Sequence, residues 1–275
     1  MQEIIQTNTM KKNLFFGLLL GAVLIAGCHP KSEKTTAVET SHFEGLQAFL
    51  TVGENGDTMY MKACYDIDWP REGQLTEEAL RTLTFSSFGD STLVSPQPAA
   101  LTWAQRQTTG ETDLVWTPIE HIDDTIMSND AELKITCRQQ GRLLTYTVCS
   151  SYFPIRAAHG WHDVECVTVD VTTGRVVRLA DLLDTNQLGR AVATAIRDLE
   201  PNREVQDCLF DEFQTAEQLP LPQTFFVDST RSNIVVTYGL YAVAPYSCGL
   251  QSVVLPADWL RSQVRLTKYA EQLLK

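Results

Sequence analysis

Alternating apolar and polar positions predict that strands dominate the middle of the chain. In segment 57–70, apolar side chains recur at nearly every second position until Pro70 ends the pattern. Segment 132–153 is typical of two strands joined by a turn at 139–142, and a third strand follows up to about residue 178. We therefore expect three antiparallel strands in this region.

Helical spacing of apolar residues predicts helices between and after these strands. Thr76 precedes two glutamates and an apolar stripe, which is typical of an N-capped helix. From Leu188 to Leu199, apolar residues recur at steps of three and four, which indicates a helix with one buried face. A hairpin over 223–239, a strand over 250–256 and a last helix starting near Pro256 complete the pattern.

The mixed order of helices and hairpins favours an α+β fold. We expect an antiparallel sheet with packed helices, forming a single large domain with room for two subregions. The N-terminal subregion would span 42–130 and the C-terminal subregion 131–275. Segment 95–105 contains two prolines and is typical of a loop.

The first 28 residues resemble the leader of a bacterial lipoprotein. An apolar run follows two lysines, is shorter than a comfortable membrane span, and ends in Gly27-Cys28. An ordinary signal peptide or a short membrane anchor is the alternative. We predict that residues 1–27 are a signal peptide and that Cys28 carries acyl chains such as palmitate. The polar segment 28–41 would be a flexible tether to a membrane of the cell envelope, expected to be the outer membrane, with the domain facing the periplasm or the surface.

Charge narrows the range of partners. Removing residues 1–27, which carry two lysines and one glutamate, reduces 22 basic and 34 acidic residues to 20 and 33, a net charge of −13. Such a chain repels nucleic acid, so we expect no nucleic-acid partner, and it attracts a basic protein.

Cysteines suggest disulfides. Six cysteines follow Cys28, which allows fifteen pairings in an exported protein, and none forms a CxxC motif. If the strands over 143–153 and 163–171 pair around a loop centred near residue 158, Cys149 lies opposite residue 166 or 167. We therefore favour a Cys149–Cys166 disulfide.

The segment 157–165 carries the most conspicuous candidate chemistry. His159 and His162 lie three residues apart, and Asp163 and Glu165 follow, which is enough for a zinc site. The segment is predicted to be a loop between strands, so we favour a bracing role for His159, with no metal and no cofactor. No serine nucleophile motif is present, and we predict no catalytic residue.

The segment 238–249 offers a second candidate surface. It contains Tyr238, Tyr241 and Tyr246 beside a proline and a glycine. Tyrosines on a rigid loop suit ligand contact, while core packing is the alternative. Trp161 in the other loop would extend the same surface.

Four motifs in order resemble the RsiV-like extracytoplasmic family, known as domain of unknown function 3298. They are Ala158-His159-Gly160, the Asp170–Arg175 turn, the Leu179–Leu183 segment and Tyr241–Gly249, within a resemblance over roughly 58–262. Ala157 replaces a common glycine, and Cys248 replaces a small residue.

The resemblance implies an α+β domain without established enzyme activity. In one branch of the family the domain belongs to an anti-sigma factor that senses lysozyme, and in another it is attached to a peptidoglycan deacetylase. We expect the signalling role not to carry over, because the sequence shows no second membrane segment, sigma-binding part or deacetylase domain.

These observations together favour a non-enzymatic, lipid-anchored binding module. Its ligand would be a basic protein such as lysozyme, or peptidoglycan, contacting His159, Gly160, Trp161, Tyr241 and Tyr246. The alternative is an envelope hydrolase or a metal-dependent enzyme that acts on cell-wall glycan through the 157–165 loop.

Overall fold

The computed structural model describes residues 37–53, 55–92, 95–108, 114–123, 126–228 and 230–274. The predicted signal peptide and lipidated Cys28 lie outside these residues and stay predictions. The strands are β1 (Thr40–Val52), β2 (Thr58–Pro70), β3 (Thr117–Ile119), β4 (Asn129–Gln140), β5 (Leu143–Phe153), β6 (Trp161–Asp170), β7 (Arg175–Val177), β8 (Thr224–Val227), β9 (Asn233–Tyr238) and β10 (Gln251–Pro256). The helices are α1 (Glu77–Phe88), α2 (Pro96–Arg106), α3 (Leu179–Leu182), α4 (Leu188–Asp198), α5 (Arg203–Cys208), α6 (Asp211–Gln214), α7 (Ala257–Gln263) and α8 (Lys268–Leu273).

The strands form two sheets. One has seven strands in the order β3-β1-β2-β4-β5-β6-β7, and the other has three in the order β10-β9-β8. Every strand pair is antiparallel except β2 with β4, which the long connection through α1 and α2 brings side by side in parallel. The α+β fold and the antiparallel strands between 132 and 178 are therefore confirmed.

Helix α1 has the start that the sequence predicted. The side-chain oxygen of Thr76 accepts a hydrogen bond from the Ala79 N–H at 3.3 Å, and two glutamates occupy the first turn. The helix ends at Gly89, whose φ of 70° suits glycine. Ala79 and Leu83 are buried against one face of the large sheet.

The predicted loop over 95–105 is wrong, because this segment forms α2. Its two prolines lie in the first turn, where a missing N–H costs no intrahelical hydrogen bond. Four later residues are buried and join α1 in covering the sheet: Ala99, Ala100, Trp103 and Ala104. In this segment, the apolar spacing after the prolines therefore indicates a helix more strongly than the prolines indicate a loop.

A second core lies between the small sheet and the C-terminal helices. Helix α4 contributes the predicted apolar stripe, with Leu188, Val192 and Ile196 buried. Asn202 is fully buried in the short 3-10 turn that follows α4. Its side-chain N–H groups donate to the Ala195 and Val254 carbonyls, and its side-chain oxygen accepts from the Val254 N–H in β10. These hydrogen bonds fasten the helix to the small sheet.

The described residues contain two hydrophobic cores, and the subregions 42–130 and 131–275 stay predictions. The described residues form one compact unit, and β4 runs through the predicted boundary as an interior strand of the large sheet. The folded part also begins before residue 42, because β1 starts at Thr40 and the Val38 N–H donates to Gln139 at 2.7 Å. No described helix combines the length and apolarity needed to cross a membrane.

A buried carboxylate joins distant parts of the fold. Asp170, at the end of β6, accepts hydrogen bonds from Arg142 in the β4–β5 turn, from the Tyr269 hydroxyl of α8 at 2.8 Å and from the Thr172 N–H at 2.9 Å. Burial alone would raise the pKa of Asp170, but these hydrogen bonds outweigh burial and hold the pKa below its ordinary value.

The described cysteines contain one disulfide, between Cys208 and Cys248, with Cα atoms 6.0 Å apart. The predicted Cys149–Cys166 pair is contradicted, since both residues are free thiols. In the β5–β6 register, Cys149 faces Val164 and Cys166 faces Thr147, so the two cysteines are diagonal neighbours. Diagonal residues lie about 7–8 Å apart, too far for a disulfide.

We expect Asp170→Asn to lower the free energy of unfolding at pH 7 by about 3 kcal/mol, because it removes the buried charge that pairs with the half-buried Arg142 and accepts from Tyr269 and the Thr172 N–H. A carboxyl whose folded pKa is lowered stabilises the fold above its unfolded pKa of about 4 and loses this contribution as the pH falls through the lower folded value. Urea unfolding should therefore show the difference from wild type shrinking between pH 5 and pH 3. Asp66→Asn, which breaks a surface pair with Lys134, is the control and should cost below about 1 kcal/mol.

We expect non-reducing peptide mapping to recover Cys208 linked to Cys248, and Cys149 and Cys166 as alkylatable thiols. Replacing both linked cysteines by serine should lower the free energy of unfolding by roughly 3–4 kcal/mol, because the bond closes a loop with a sequence separation of 40. Cys64→Ser, at an exposed free thiol, is the control and should leave stability unchanged. A peptide linking Cys149 to Cys166 would contradict this assignment.

Candidate functional site

The connection between β5 and β6 is a tightly held loop over residues 154–160. The Ile155 N–H donates to Asn129 at 2.6 Å, and Arg156 adopts a positive φ of 63°. Gly160 admits no side chain, since a Cβ there would lie 2.7 Å from the Phe153 ring and 2.8 Å from the Tyr152 carbonyl oxygen. The loop predicted between antiparallel strands is therefore present, and close packing explains its glycine.

Strand β6 begins earlier than the predicted loop allows. Trp161 pairs with Tyr152 and His162 with Ser151, so both residues lie on a strand. Strand alternation directs His162 and Asp163 to opposite faces of the sheet, which separates two of the suspected metal ligands. Asp163 instead accepts hydrogen bonds from Gln223 and from the Val164 N–H. Among the described residues, no group of three or more metal-ligating side chains has a geometry that could hold an ion.

The three tyrosines of the second candidate segment divide between core and surface. Tyr238 is a core residue whose hydroxyl donates to the Pro220 carbonyl at 2.9 Å, and burial raises its pKa. Tyr241 is 55% exposed and has a φ of 62°, a strained value for a non-glycine residue. Tyr246 opens a short 3-10 turn that ends at the disulfide-bonded Cys248. Core packing thus accounts for one tyrosine only.

The structure brings the two candidate loops together in an aromatic cluster of His159, His162, Tyr241 and Tyr246. The rings of His159 and Tyr246 are stacked, with centroids 3.9 Å apart and an interplanar angle of 25°. The Tyr241 ring lies 5.9 Å from Tyr246, and His162 meets Tyr246 edge-on at 6.0 Å. The two longer distances are typical of favourable aromatic pairs, and the His159–Tyr246 stack is closer.

Hydrogen bonds orient His159 within this cluster. Its Nδ1 lies 2.9 Å from the Gly160 carbonyl oxygen, which can only accept, so Nδ1 carries the proton. In the neutral ring, Nε2 then accepts from the Tyr241 hydroxyl, at the long distance of 3.5 Å. His159 therefore contacts Gly160 of its own loop and Tyr241 of the tyrosine loop, and its bracing role stays a prediction.

A shallow cleft opens beside the cluster, which we call the aromatic cleft. Its volume is about 360 Å³. The strands line it with Ser151, Tyr152, Phe153, Trp161 and His162, and the loops line it with Ala158, His159, Gly160 and Tyr246. Trp161 is 51% exposed and Phe153 is 50% exposed, so large rings reach solvent here.

Sequence reasoning found part of this cleft. Four of the five predicted ligand-binding residues line it, and the fifth, Tyr241, contacts Tyr246 at its rim. Tyr152 and Phe153 were missed, although their position at the end of a predicted strand that enters the loop is a signal that could have found them. Their role as ligand contacts stays a prediction.

The described residues show no assembled nucleophile. Ser151 faces His162 across the β5–β6 pair, but no hydrogen bond joins them and no carboxylate orients His162 in the part of the chain that the structure describes. Burial raises the pKa of each of the four free thiols, to about 11 at Cys166, so these thiols stay protonated at neutral pH.

A second cleft, which we call the acidic cleft, lies on the same large sheet, on the face that α1 and α2 leave uncovered. Its volume is about 480 Å³, and Glu44, Asp66 and Glu132 line it together with Leu46 and Cys64. Glu132 lies directly opposite Ser151 of the aromatic cleft in the β4–β5 pair. The two clefts are therefore neighbours with different chemistry.

One solved crystal structure has a similar architecture, and a second aligns less well. A member of the DUF3298 family from Bacteroides fragilis has a TM-score of 0.60 at 13% sequence identity, over 86% of this chain and 97% of its own. A DUF3298 family protein from Pseudomonas aeruginosa has a TM-score of 0.48 at 18% identity, over 84% of this chain and 95% of its own. No family model matches the sequence, and no curated protein is significantly similar to it. The chain therefore has the fold of a solved DUF3298 family structure, which confirms the fold that the four sequence motifs predicted.

Proposed function

We propose that this chain is a lipid-anchored binding module of the cell envelope, without enzymatic activity, whose ligand contacts the aromatic cleft. The observation that carries the proposal is the exposed aromatic surface where two loops meet on a rigid sheet. Aromatic rings supply large contact areas at little cost in conformational entropy, which suits a binding surface. The proposed ligand is a protein, such as a lysozyme, or a component of the cell wall.

Preorganisation supports this role. The Cys208–Cys248 disulfide fixes the turn that carries Tyr246, and the Phe210 N–H donates to the Val243 carbonyl at 2.9 Å to hold the same loop. On the other side, the strand pair of Tyr152 with Trp161 and the tight packing at Gly160 fix the histidine loop. A site that is rigid before binding loses less entropy when the ligand arrives.

The alternative function is a hydrolase or metal-dependent enzyme acting on cell-wall glycan. Ser151 opposite His162 is the observation in its favour. The missing orienting acid and the raised pKa values of the free thiols disfavour it among the described residues. Binding therefore remains the proposed function.

The proposed location is the outer membrane, reached through acyl chains on Cys28. We expect radiolabelled palmitate to be incorporated into the chain expressed in a bacterium, and Cys28→Ser to abolish the label and release the protein from the membrane fraction. Cys64→Ser changes an exposed cysteine inside the domain and should keep both label and membrane association. Equal labelling of the Cys28→Ser variant would contradict the lipid anchor.

Binding is tested by cosedimentation of the unlipidated chain with purified peptidoglycan and, separately, by pull-down with lysozyme. We expect at least one ligand to bind, and Trp161→Ala combined with Tyr246→Ala to weaken it at least tenfold, because hot spots concentrate in exposed aromatic anchors. Phe85→Ala removes another exposed ring, on α1 and outside the aromatic cleft, and should leave binding unchanged. Equal binding by the double variant and wild type would overturn the aromatic cleft as the binding surface.

A further inference from the structure

The lining of the aromatic cleft discriminates between the two proposed ligand classes. None of its nine lining residues is an aspartate, glutamate, lysine or arginine. Carboxylates are abundant elsewhere, because the chain carries 34 acidic residues, and three of them line the neighbouring acidic cleft. Carboxylates would complement a cationic protein, and lysine or arginine would complement an anion. The aromatic cleft has neither.

The remaining chemistry of the lining combines flat apolar faces with neutral hydrogen-bonding groups. Trp161 and Phe153 each expose about half of their surface, and Tyr246 adds a ring that the stacked His159 holds in place. Ser151 and His162 add a hydroxyl and an imidazole from adjacent strands. A neutral sugar ring matches this set, because its C–H faces pack on aromatic rings while its hydroxyl groups exchange hydrogen bonds at the rim.

We infer that the aromatic cleft binds the pyranose rings of a neutral glycan chain, with Trp161 as the stacking platform. The inference rests on the proposed function, that is, on the aromatic cleft being the binding surface. The cleft is shallow and lies at the end of β5 and β6, so a glycan chain can pass across it without threading into the domain.

The test uses the unlipidated chain and two uncharged probes, tetrasaccharides of N-acetylglucosamine and of glucose, titrated by intrinsic fluorescence and by saturation-transfer NMR. We expect at least one tetrasaccharide to bind, with transfer to its ring C–H protons. We also expect its Kd to change less than twofold between 50 mM and 500 mM salt, because no charged group of the cleft or of the sugar takes part in the contact. Trp161→Ala should raise the Kd at least tenfold, and Phe85→Ala should not change it.

A structural loss is separated from a binding loss by a second variant. Trp161→Phe keeps an aromatic ring on β6 and should recover binding to within about threefold of wild type, while thermal unfolding shows that all variants remain folded. Failure of both tetrasaccharides to bind folded wild type would overturn the inference. So would binding that is equal in wild type and Trp161→Ala.

A parallel arm with lysozyme as the cationic probe separates this inference from the proposed function. If lysozyme binding is salt-sensitive and Trp161-dependent while neither sugar binds, the proposed binding surface holds and the glycan inference fails. If Glu132→Gln weakens lysozyme binding and Trp161→Ala does not, lysozyme binds at the acidic cleft. The sugar titrations alone then decide whether the aromatic cleft is a binding surface. If no probe responds to Trp161→Ala, both the inference and the proposed function fail.

Discussion

The buried carboxylate of Asp170 is the constraint on which the arrangement of the two cores depends. It links Arg142 of the β4–β5 turn to Tyr269 of α8, which lies 99 residues after Asp170 in the chain. Arg142 also lies 5.4 Å above the Tyr269 ring, so the cation is stabilised from two sides. The C-terminal helices thereby stay attached to the large sheet. Asp170 ends β6 and Trp161 begins it. The same strand therefore carries the buried carboxylate at one end and the aromatic cleft at the other.

Strand register transmits this constraint to the candidate site. Ten consecutive pairs join β5 and β6, from Leu143 with Asp170 to Tyr152 with Trp161. A slip by one residue would exchange the faces of all side chains on β6, so His162 would move away from Ser151 and Tyr246. The position of His162 beside Ser151 and Tyr246 therefore depends on the β5–β6 register.

The sequence predicted local features better than contacts between distant segments. The strand alternation of 132–178, the Thr76 cap and the α4 stripe each depend on neighbours within a few residues, and all three were found. Helix α2 was missed because two prolines in its first turn resemble a loop signal. The Cys208–Cys248 pair and the contact of Tyr241 with His159, 82 residues apart, depend on how the small sheet packs beside β6, which no local pattern encodes.

The aromatic cleft does not follow from stability alone. A positive φ at a tyrosine costs of order 1–3 kcal/mol, and Tyr241 adopts it while remaining more than half exposed, so the strain secures no buried contact. Trp161 and Phe153 likewise keep about half of their surface in water, although the face of the sheet covered by α1 and α2 has a complete apolar core. A disulfide and a close-packed glycine hold these exposed rings in fixed positions. Burial in the core does not explain why these exposed and strained rings are held rigidly. A preorganised binding surface, in contrast, requires such rigid support.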